Sequence, residues 1–327
     1  MNLDRSILEE ALEKFHHLQV VVIGDLMLDR YLWGRVERIS PEAPVPVVEV
    51  TEDAERPGGA GNVALNLLSL GAMVRPVGLV GDDAHGKTLM QLLDEKGAHM
   101  EGVLIDNERP TTVKTRVIAE DQQVVRVDRE KNVPLSNGIE ATLISRLRGL
   151  VSRADAVILQ DYNKGVMTPR LIRAAIDFAK EEDVPVTVDP KSQHFFEFYG
   201  ATLFKPNLRE AEGALNRSLR SEKDIEAAGN EMLFRLQAKQ VLITRGGEGM
   251  SLFEENRPTI HIPTRARTIS DVSGAGDTVI STLTLGIAAG YDAFTAAQLA
   301  NRAAGWVVSQ VGVVPITPEA LLNETGD

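Results

Sequence analysis

The sequence predicts an α/β fold: a doubly wound, mainly parallel sheet flanked by helices, with a small β-sheet lid. Three observations carry this. Strand-length apolar runs alternate with helical spacing along most of the chain. Two segments break that rhythm with β-branched residues and alternating polarity. The 327 residues contain no internal repeat and no linker-like tract, so a single domain over residues 1–327 is expected, long enough for a sizeable core.

The opening MNLDRSILEEALEKFHHL has the mixed charge and apolar spacing of an amphipathic helix, without the basic start or apolar core of a signal peptide. VVVIGD (20–25) follows as a buried parallel strand ending in Gly-Asp. Helical spacing predicts helices over 62–70, 86–96, 138–151, 168–182, 222–238 and 277–289. Apolar runs predict buried strands over 74–80, 156–160, 184–188, 201–205 and 240–244. Ligands of such sheets bind beyond the carboxyl ends of the strands. Residues 31–50 and 112–128 are expected to form antiparallel strands that project from the core as a lid. Their free edges invite pairing between two subunits, so a homodimer through the lid is expected.

A net charge of -12 argues against nucleic acid as the main partner, while leaving room for a local basic pocket that holds a small phosphate ester. The absence of cysteine excludes disulfides, thiolate nucleophiles and Cys-ligated zinc. The histidines at 16, 17, 85, 99, 194 and 261 have no ligand-like spacing. No stretch is long and apolar enough to span a bilayer, and a cytoplasmic enzyme without a membrane partner is expected.

Two glycine motifs tempt and fail. GDDAHGKT (81–88) fits the P-loop pattern between a strand and a helix, with Lys87 as its lysine and VILQD (157–161) as a source of a Mg²⁺-binding aspartate. A P-loop aims backbone N–H groups at phosphate oxygens, and Asp82 and Asp83 would place two negative charges in that cradle. GAGNVA (59–64) fits a dinucleotide fingerprint, but the strand that should lead into its first glycine is replaced by TEDAERPG.

DVSGAGDT (271–278) stands before an apolar helical run. Small residues at 274–276 let a ligand approach the backbone, and the free N–H groups of the next helix form an anion site. Asp277 then suits a general base beside a transferring phosphoryl group, or equally a helix cap with Gly274 and Gly276 as turn residues. A helix N-terminus favours the ionised carboxylate and so weakens it as a base, which a largely dissociative phosphoryl transfer tolerates.

DVSGAGDT resembles the C-terminal signature of the ribokinase-like (PfkB) carbohydrate kinases, and PGGAGNVALNLLSLG (57–71) resembles their N-terminal glycine signature. GDLMLD (24–29), VGDDAHG, KPNLRE (205–210), TRGGEG (244–249) and ANRAAG (300–305) extend the similarity over nearly the full length. The resemblance implies a ribokinase-like fold, an acceptor sugar under the lid, ATP across the C-terminal half and Mg²⁺ as cofactor. It makes Asp277 the base and the amides of Gly274, Ala275 and Gly276 an anion hole. Asp29, placed at the mouth of the first strand, would accept hydrogen bonds from sugar hydroxyls, or else be a turn aspartate. Gly58 and Gly59 would let the chain pass close to the sugar, and Asn62 would bond a hydroxyl, or else cap a helix. Asn207 and Glu210 match an N-x-x-E pattern that organises Mg²⁺ through water. Thr244, Gly246 and Gly249 would line the nucleotide, unless they form a plain hairpin turn, and Asn301 would lie near adenine.

The runs IGDLMLDRYLWGRVERISPEAPVPVV, TVKTRVIAEDQQVVRVDRE, LQDYNKGV and VDPKS are most similar to the branch of the family that phosphorylates D-glycero-β-D-manno-heptose 7-phosphate at its anomeric oxygen, a step toward lipopolysaccharide-core heptose. A phosphorylated acceptor needs cations in its pocket. Lys114, Arg116 and Arg126 on the lid, with Lys164 and Lys191 after core strands, are the candidates, each against the alternative of a solvated surface charge. Many relatives in that branch carry a further nucleotidyltransferase domain with an H-x-G-H motif; none is found here, so a kinase with one activity is expected. A kinase for another sugar or sugar phosphate, a P-loop NTPase using Lys87, and a non-catalytic nucleotide or sugar sensor are the alternatives.

Overall fold

The structure, a computed structural model, describes residues 3–120, 122–266 and 269–323. Helix α1 (Arg5–Phe15) buries Leu8, Ala11, Leu12 and Phe15, the apolar stripe that its spacing dictates. Strand β1 (Gln19–Gly24) enters the core, and a single residue, Asp25, separates it from the lid strand β2 (Leu26–Ile39). Strand β3 (Pro46–Gly59) returns antiparallel to β2 and runs straight into α2 (Ala60–Ser69). The core resumes with β4 (Met73–Gly81), α3 (Ala84–Glu95) and β5 (Gly102–Asp106) before β6 (Thr112–Ala119) and β7 (Gln122–Arg129) complete the lid. Then come α4 (Asn137–Val151), β8 (Ala156–Gln160), α5 (Pro169–Glu181), β9 (Val186–Asp189), β10 (Leu203–Phe204), α6 (Leu208–Leu215) and α7 (Glu222–Leu236). The described chain closes with β11 (Gln240–Thr244), β12 (Met250–Glu254), β13 (Ile260–Ile262), α8 (Ala275–Ala288), α9 (Ala293–Val307) and α10 (Pro318–Leu322).

The main sheet has the order β13-β12-β11-β10-β9-β8-β1-β4-β5, parallel from β5 to β11 and antiparallel at the β12–β13 end. Alternate residues of a strand face opposite sides, so both faces of β1 must be covered. Val21 and Ile23 pack with residues of α4, α5 and α7, whereas Val20 and Val22 pack with α1, α2, α8 and α9. Helix α8 is buried on every residue from Asp277 to Gly286, which explains its apolar character all round.

The lid is a separate sheet, β3-β2-β6-β7. The sequence predicts antiparallel pairing throughout, but the central pair β2–β6 is parallel. The cause is connectivity: the core segment from α2 to β5 intervenes between β3 and β6, so β6 enters from the same end as β2. The lid also begins at Leu26 rather than residue 31, which moves Asp29 from the mouth of a core strand into a lid strand. Strands β5, β12 and β13 and helices α6, α9 and α10 add to the predicted elements, and the strand expected over 201–205 shortens to Leu203–Phe204.

Candidate active site

Gly274 adopts φ +79°, a left-handed conformation that favours glycine, and makes the N-cap of α8 without any side-chain cap. A Cβ there would lie 3.0 Å from Val313 and 3.1 Å from Asn62 Nδ2. Asp277 is therefore the third helical residue and not the cap. The Ala275 amide donates to Val272 O at 3.3 Å, so one of the three amides assigned to the anion hole already serves the turn.

The Asp277 carboxylate points inward and is held from both sides. Asn62 Nδ2 donates to Oδ2 at 2.7 Å; Tyr162 Oη donates to Oδ1 at 2.6 Å, and Gln160 Nε2 reaches Oδ1 at 3.3 Å. Gln160 also donates to Asp189 Oδ2 at 3.2 Å. Burial pushes the Asp277 carboxyl up to about 6, with the Asp189 charge adding to the rise and Tyr162, Asn62 and Lys205 opposing it. The helix dipole alone would make this a weak base; removal from water outweighs it. The result is a carboxylate that is ionised at neutral pH and still able to take a proton.

Asn62 is not a cap either: Gly59 occupies that position, and the Asn62 amide is committed to Asp277 while its Oδ1 is buried without a partner. Gly59 has φ +57°, and a Cβ there would meet Asp25 O at 2.5 Å. At Gly58 a Cβ would lie 2.2 Å from Asp29 Oδ2. The space that these glycines free is thus filled first by the protein itself. Asp29 Oδ1 in turn accepts from Arg116 Nη1 at 2.6 Å, across the β2–β6 pair.

The expected cations all have internal partners. Lys164 pairs with Glu130 at 2.9 Å and Lys114 with Asp128 at 3.9 Å, while Arg126 forks onto Asp128 at 3.0 Å. Lys191 pairs with Glu210, and its ammonium sits 5.6 Å from the Tyr162 ring centroid. Glu210 and Asn207 form a reciprocal capping box at the start of α6, with Asn207 N to Glu210 Oε2 at 2.8 Å and Glu210 N to Asn207 Oδ1 at 2.9 Å. Thr244 bridges to Asn207, which brings these two predicted positions together. Gly246 and Gly249 close the β11–β12 turn, and a Cβ at Gly249 would lie 2.0 Å from Ile262 O, so the hairpin itself requires that glycine. Asn301 on α9 donates to Pro263 O at 2.7 Å, in the segment that Gly249 packs against.

Among the described residues no three His, Cys, Asp or Glu side chains converge on a metal-sized site. Glu210 offers a hard oxygen ligand that is fixed by its cap and only partly buried, which fits a cation that keeps most of its water, as Mg²⁺ does. The P-loop motif is closed from within: Asp83 Oδ1 takes the Gly86 amide at 2.8 Å and the Thr111 hydroxyl at 2.8 Å, while Oδ2 takes the Thr111 amide at 2.9 Å.

Five further residues belong to the site. Asp25 accepts the amides of Tyr162, Lys164 and Val166, Gln160 and Tyr162 contact Asp277, and Lys205 pairs with Asp189 at 3.2 Å. The signal that marks them is polarity at the carboxyl ends of β1, β8, β9 and β10, where ligands of such a sheet bind.

Comparison with known proteins fits this geometry. Residues 17–320 match the pfkB family carbohydrate kinases. The "Bifunctional protein HldE" of Geobacter metallireducens is 44% identical over 324 residues, 99% of this chain and 66% of the relative. The protein of the same name from Caulobacter vibrioides is 46% identical over 303 residues, 92% of this chain and 62% of the relative. The chain thus spans just under two thirds of the length of these relatives. Among solved structures, Arabidopsis thaliana ribokinase complexed with ribose and ATP superposes with a TM-score of 0.75 at 22% identity, covering 93% of this chain and 97% of the other. The tetrameric inhibited form of Escherichia coli phosphofructokinase-2 gives 0.77 at 19% identity over 93% and 97%. These two establish the ribokinase-like fold. The family match and the identities above 40% go further: the chain belongs to the pfkB family of carbohydrate kinases and is a sugar kinase.

Proposed function

We propose that the protein transfers the γ-phosphoryl group of ATP to the anomeric C1 hydroxyl of D-glycero-β-D-manno-heptose 7-phosphate, giving the 1,7-bisphosphate and ADP. The observation that carries the reaction type is the buried Asp277 carboxylate in the first turn of α8, beside the uncapped amides of Gly274 and Gly276. The C1 hydroxyl attacks the γ-phosphorus, its proton passes to Asp277, and the bond to the β-phosphate oxygen breaks. The amides and the dipole of α8 stabilise the charge on the transferring group. An anomeric hydroxyl is more acidic than an ordinary alcohol, which suits a base of about 6. Asp29 and Asn62 bind sugar hydroxyls, the latter through its free Oδ1. Asn207, Thr244, Gly246, Gly249 and Asn301 line the nucleotide. Glu210 would hold Mg²⁺ through water, and the ion would supply positive charge against the nucleotide phosphates.

The choice of acceptor rests on the lid and its neighbours. Lys114, Lys164 and Arg126 lie close enough for mutual repulsion, since Lys164 and Arg126 add to the effect of burial in lowering the Lys114 ammonium. Substrate phosphate takes over these cations from Asp128 and Glu130; Arg116 and Lys191 support the site through Asp29 and Glu210. We extend the proposal to a cytoplasmic enzyme of lipopolysaccharide-core heptose synthesis, in which residues 1–327 form one kinase domain. It would dimerise through the lid, whose strand β7 leaves Val124, Val125 and Val127 exposed.

ADP release measured over heptose 7-phosphate, fructose phosphates, ribose and adenosine tests the substrate. The expected result is the highest kcat/KM with heptose 7-phosphate; preference for any other acceptor overturns the assignment and leaves the family intact. In the same assay Lys87→Ala is expected to leave turnover unchanged, because Lys87 stands in the first turn of α3, whose N-terminus Asp83 has already capped.

A further inference from the structure

We infer that Tyr162 is a positioning residue for Asp277, and that Asp25 sets it in place by gathering the loop after β8. Resting on the phosphoryl-transfer reading above, the inference adds a device that fixes which way the base points.

A carboxylate that must take a proton from a bound hydroxyl needs one oxygen held and the other aimed. In Asp277 the Tyr162 hydroxyl holds Oδ1 at 2.6 Å, the shortest of the three contacts to the carboxylate. Among the described residues Oδ1 takes both Tyr162 and Gln160 whereas Oδ2 takes Asn62 alone, so Oδ2 is the oxygen with room for a hydroxyl donor, and the unpartnered Oδ1 of Asn62 stands on that side. Tyr162 therefore anchors the rear oxygen. Its phenol is kept well above its ordinary pKa, first by burial and then by the Asp277 charge, and so remains a donor throughout the working pH range.

The placement of Tyr162 is built from below. Asp25, 2% exposed, accepts Tyr162 N at 2.8 Å and Lys164 N at 3.1 Å on Oδ2, and Val166 N at 3.1 Å on Oδ1. Asn163, between them, has φ +55°, a left-handed turn that three hydrogen bonds to one carboxylate can enforce. This single side chain links the end of β1 to the tyrosine that holds the base. The charged groups around Asp277 are Asp189 on β9, Lys191 after β9 and Lys205 after β10, none of which touches Tyr162 Oη.

The test uses the acceptor that gives turnover in the panel above. Tyr162→Phe keeps the ring against Lys191 and removes one donor to the ionised base. It is expected to lower kcat by about tenfold, leave KM for ATP unchanged, and move the acid limb of the kcat/KM profile up by about one pH unit. Asp25→Asn is expected to move the limb in the same direction, and the double variant by less than the sum, because both act through one contact. An unmoved acid limb in either single variant, additive effects in the double, or a raised KM for ATP with unchanged kcat overturns the inference. Asp277→Asn separates the two levels: if it remains active the phosphoryl-transfer reading itself fails, whereas an inactive Asp277→Asn beside an unaltered Tyr162→Phe removes only the role given to Tyr162.

Discussion

Asp277→Asn is expected to lower kcat by about 10³-fold, the range in which loss of a positioned general base falls, with little change in KM for ATP. The same variant is expected to melt at a higher temperature than the wild type at pH 7.5. The Asp277 carboxyl lies at about 6 in the folded protein against 3.8 for an unperturbed aspartate, chiefly because of burial. Between those values the folded state binds more protons than the unfolded state, so stability is fully present below 3.8 and is lost as pH rises through about 6. The difference of about two pH units corresponds to about 3 kcal/mol lost at neutral pH, and asparagine does not incur it. The geometry accommodates the amide: Tyr162 and Gln160 still donate to Oδ1, and Asn62 can turn its unpartnered Oδ1 toward the new NH₂. Turnover and thermal melts of the two proteins at pH 4 and pH 7.5 check both halves. The gain in stability should shrink at pH 4, and wild-type turnover should fall as pH drops through about 6. A variant that stays active would show that Asp277 is not the base, and one that melts lower at pH 7.5 would show that it is not a destabilising buried charge.

The core was legible because each of its strands is short, apolar and followed by helical spacing, and those local patterns carry through to β1, β4, β8 and β11. The lid was legible as β structure but not in its pairing, since a parallel β2–β6 contact depends on where the intervening core elements place the chain. The same limit applies to the site. DVSGAGDT marked the helix start and its carboxylate, yet the partners of Asp277 lie 115, 117 and 215 residues away, and no local spacing reports a contact at such separations. Asp29 and Asp25 show the cost of reading a motif without its register: GDLMLD contains both, and the structure puts Asp25 at the strand mouth and Asp29 in the lid. Asp83 shows the reverse, a local physical argument that held. Its charge was reason to doubt the P-loop, and it occupies the amide that a phosphate would have used.

Lys205→Met is expected to destabilise the protein by about 3–5 kcal/mol and to lower activity as well. Lys205 and Asp189 pair at 3.2 Å with side chains only 3% and 6% exposed, so removing the ammonium leaves a carboxylate buried without its counter-charge. The pair also stands behind the first turn of α8: a Cβ on Gly276 would lie 4.0 Å from both Asp189 Oδ2 and Lys205 Nζ. Lys205 therefore contributes positive potential where a transferring phosphoryl group would gather negative charge, and it is one of the groups that hold the Asp277 carboxyl down. Its loss pushes that carboxyl up, and the acid limb of the rate profile should follow. Asp189→Asn combined with Lys205→Met distinguishes the two roles. With both charges gone, the unpaired-charge penalty disappears, and the amide oxygen introduced at position 189 can still accept from Gln160, so most of the lost stability should return in urea unfolding. Turnover should not return with it, because the cation is still missing. Recovery of both in the double variant would mean that the pair serves only the fold, and that the charge opposing the phosphoryl group comes from elsewhere.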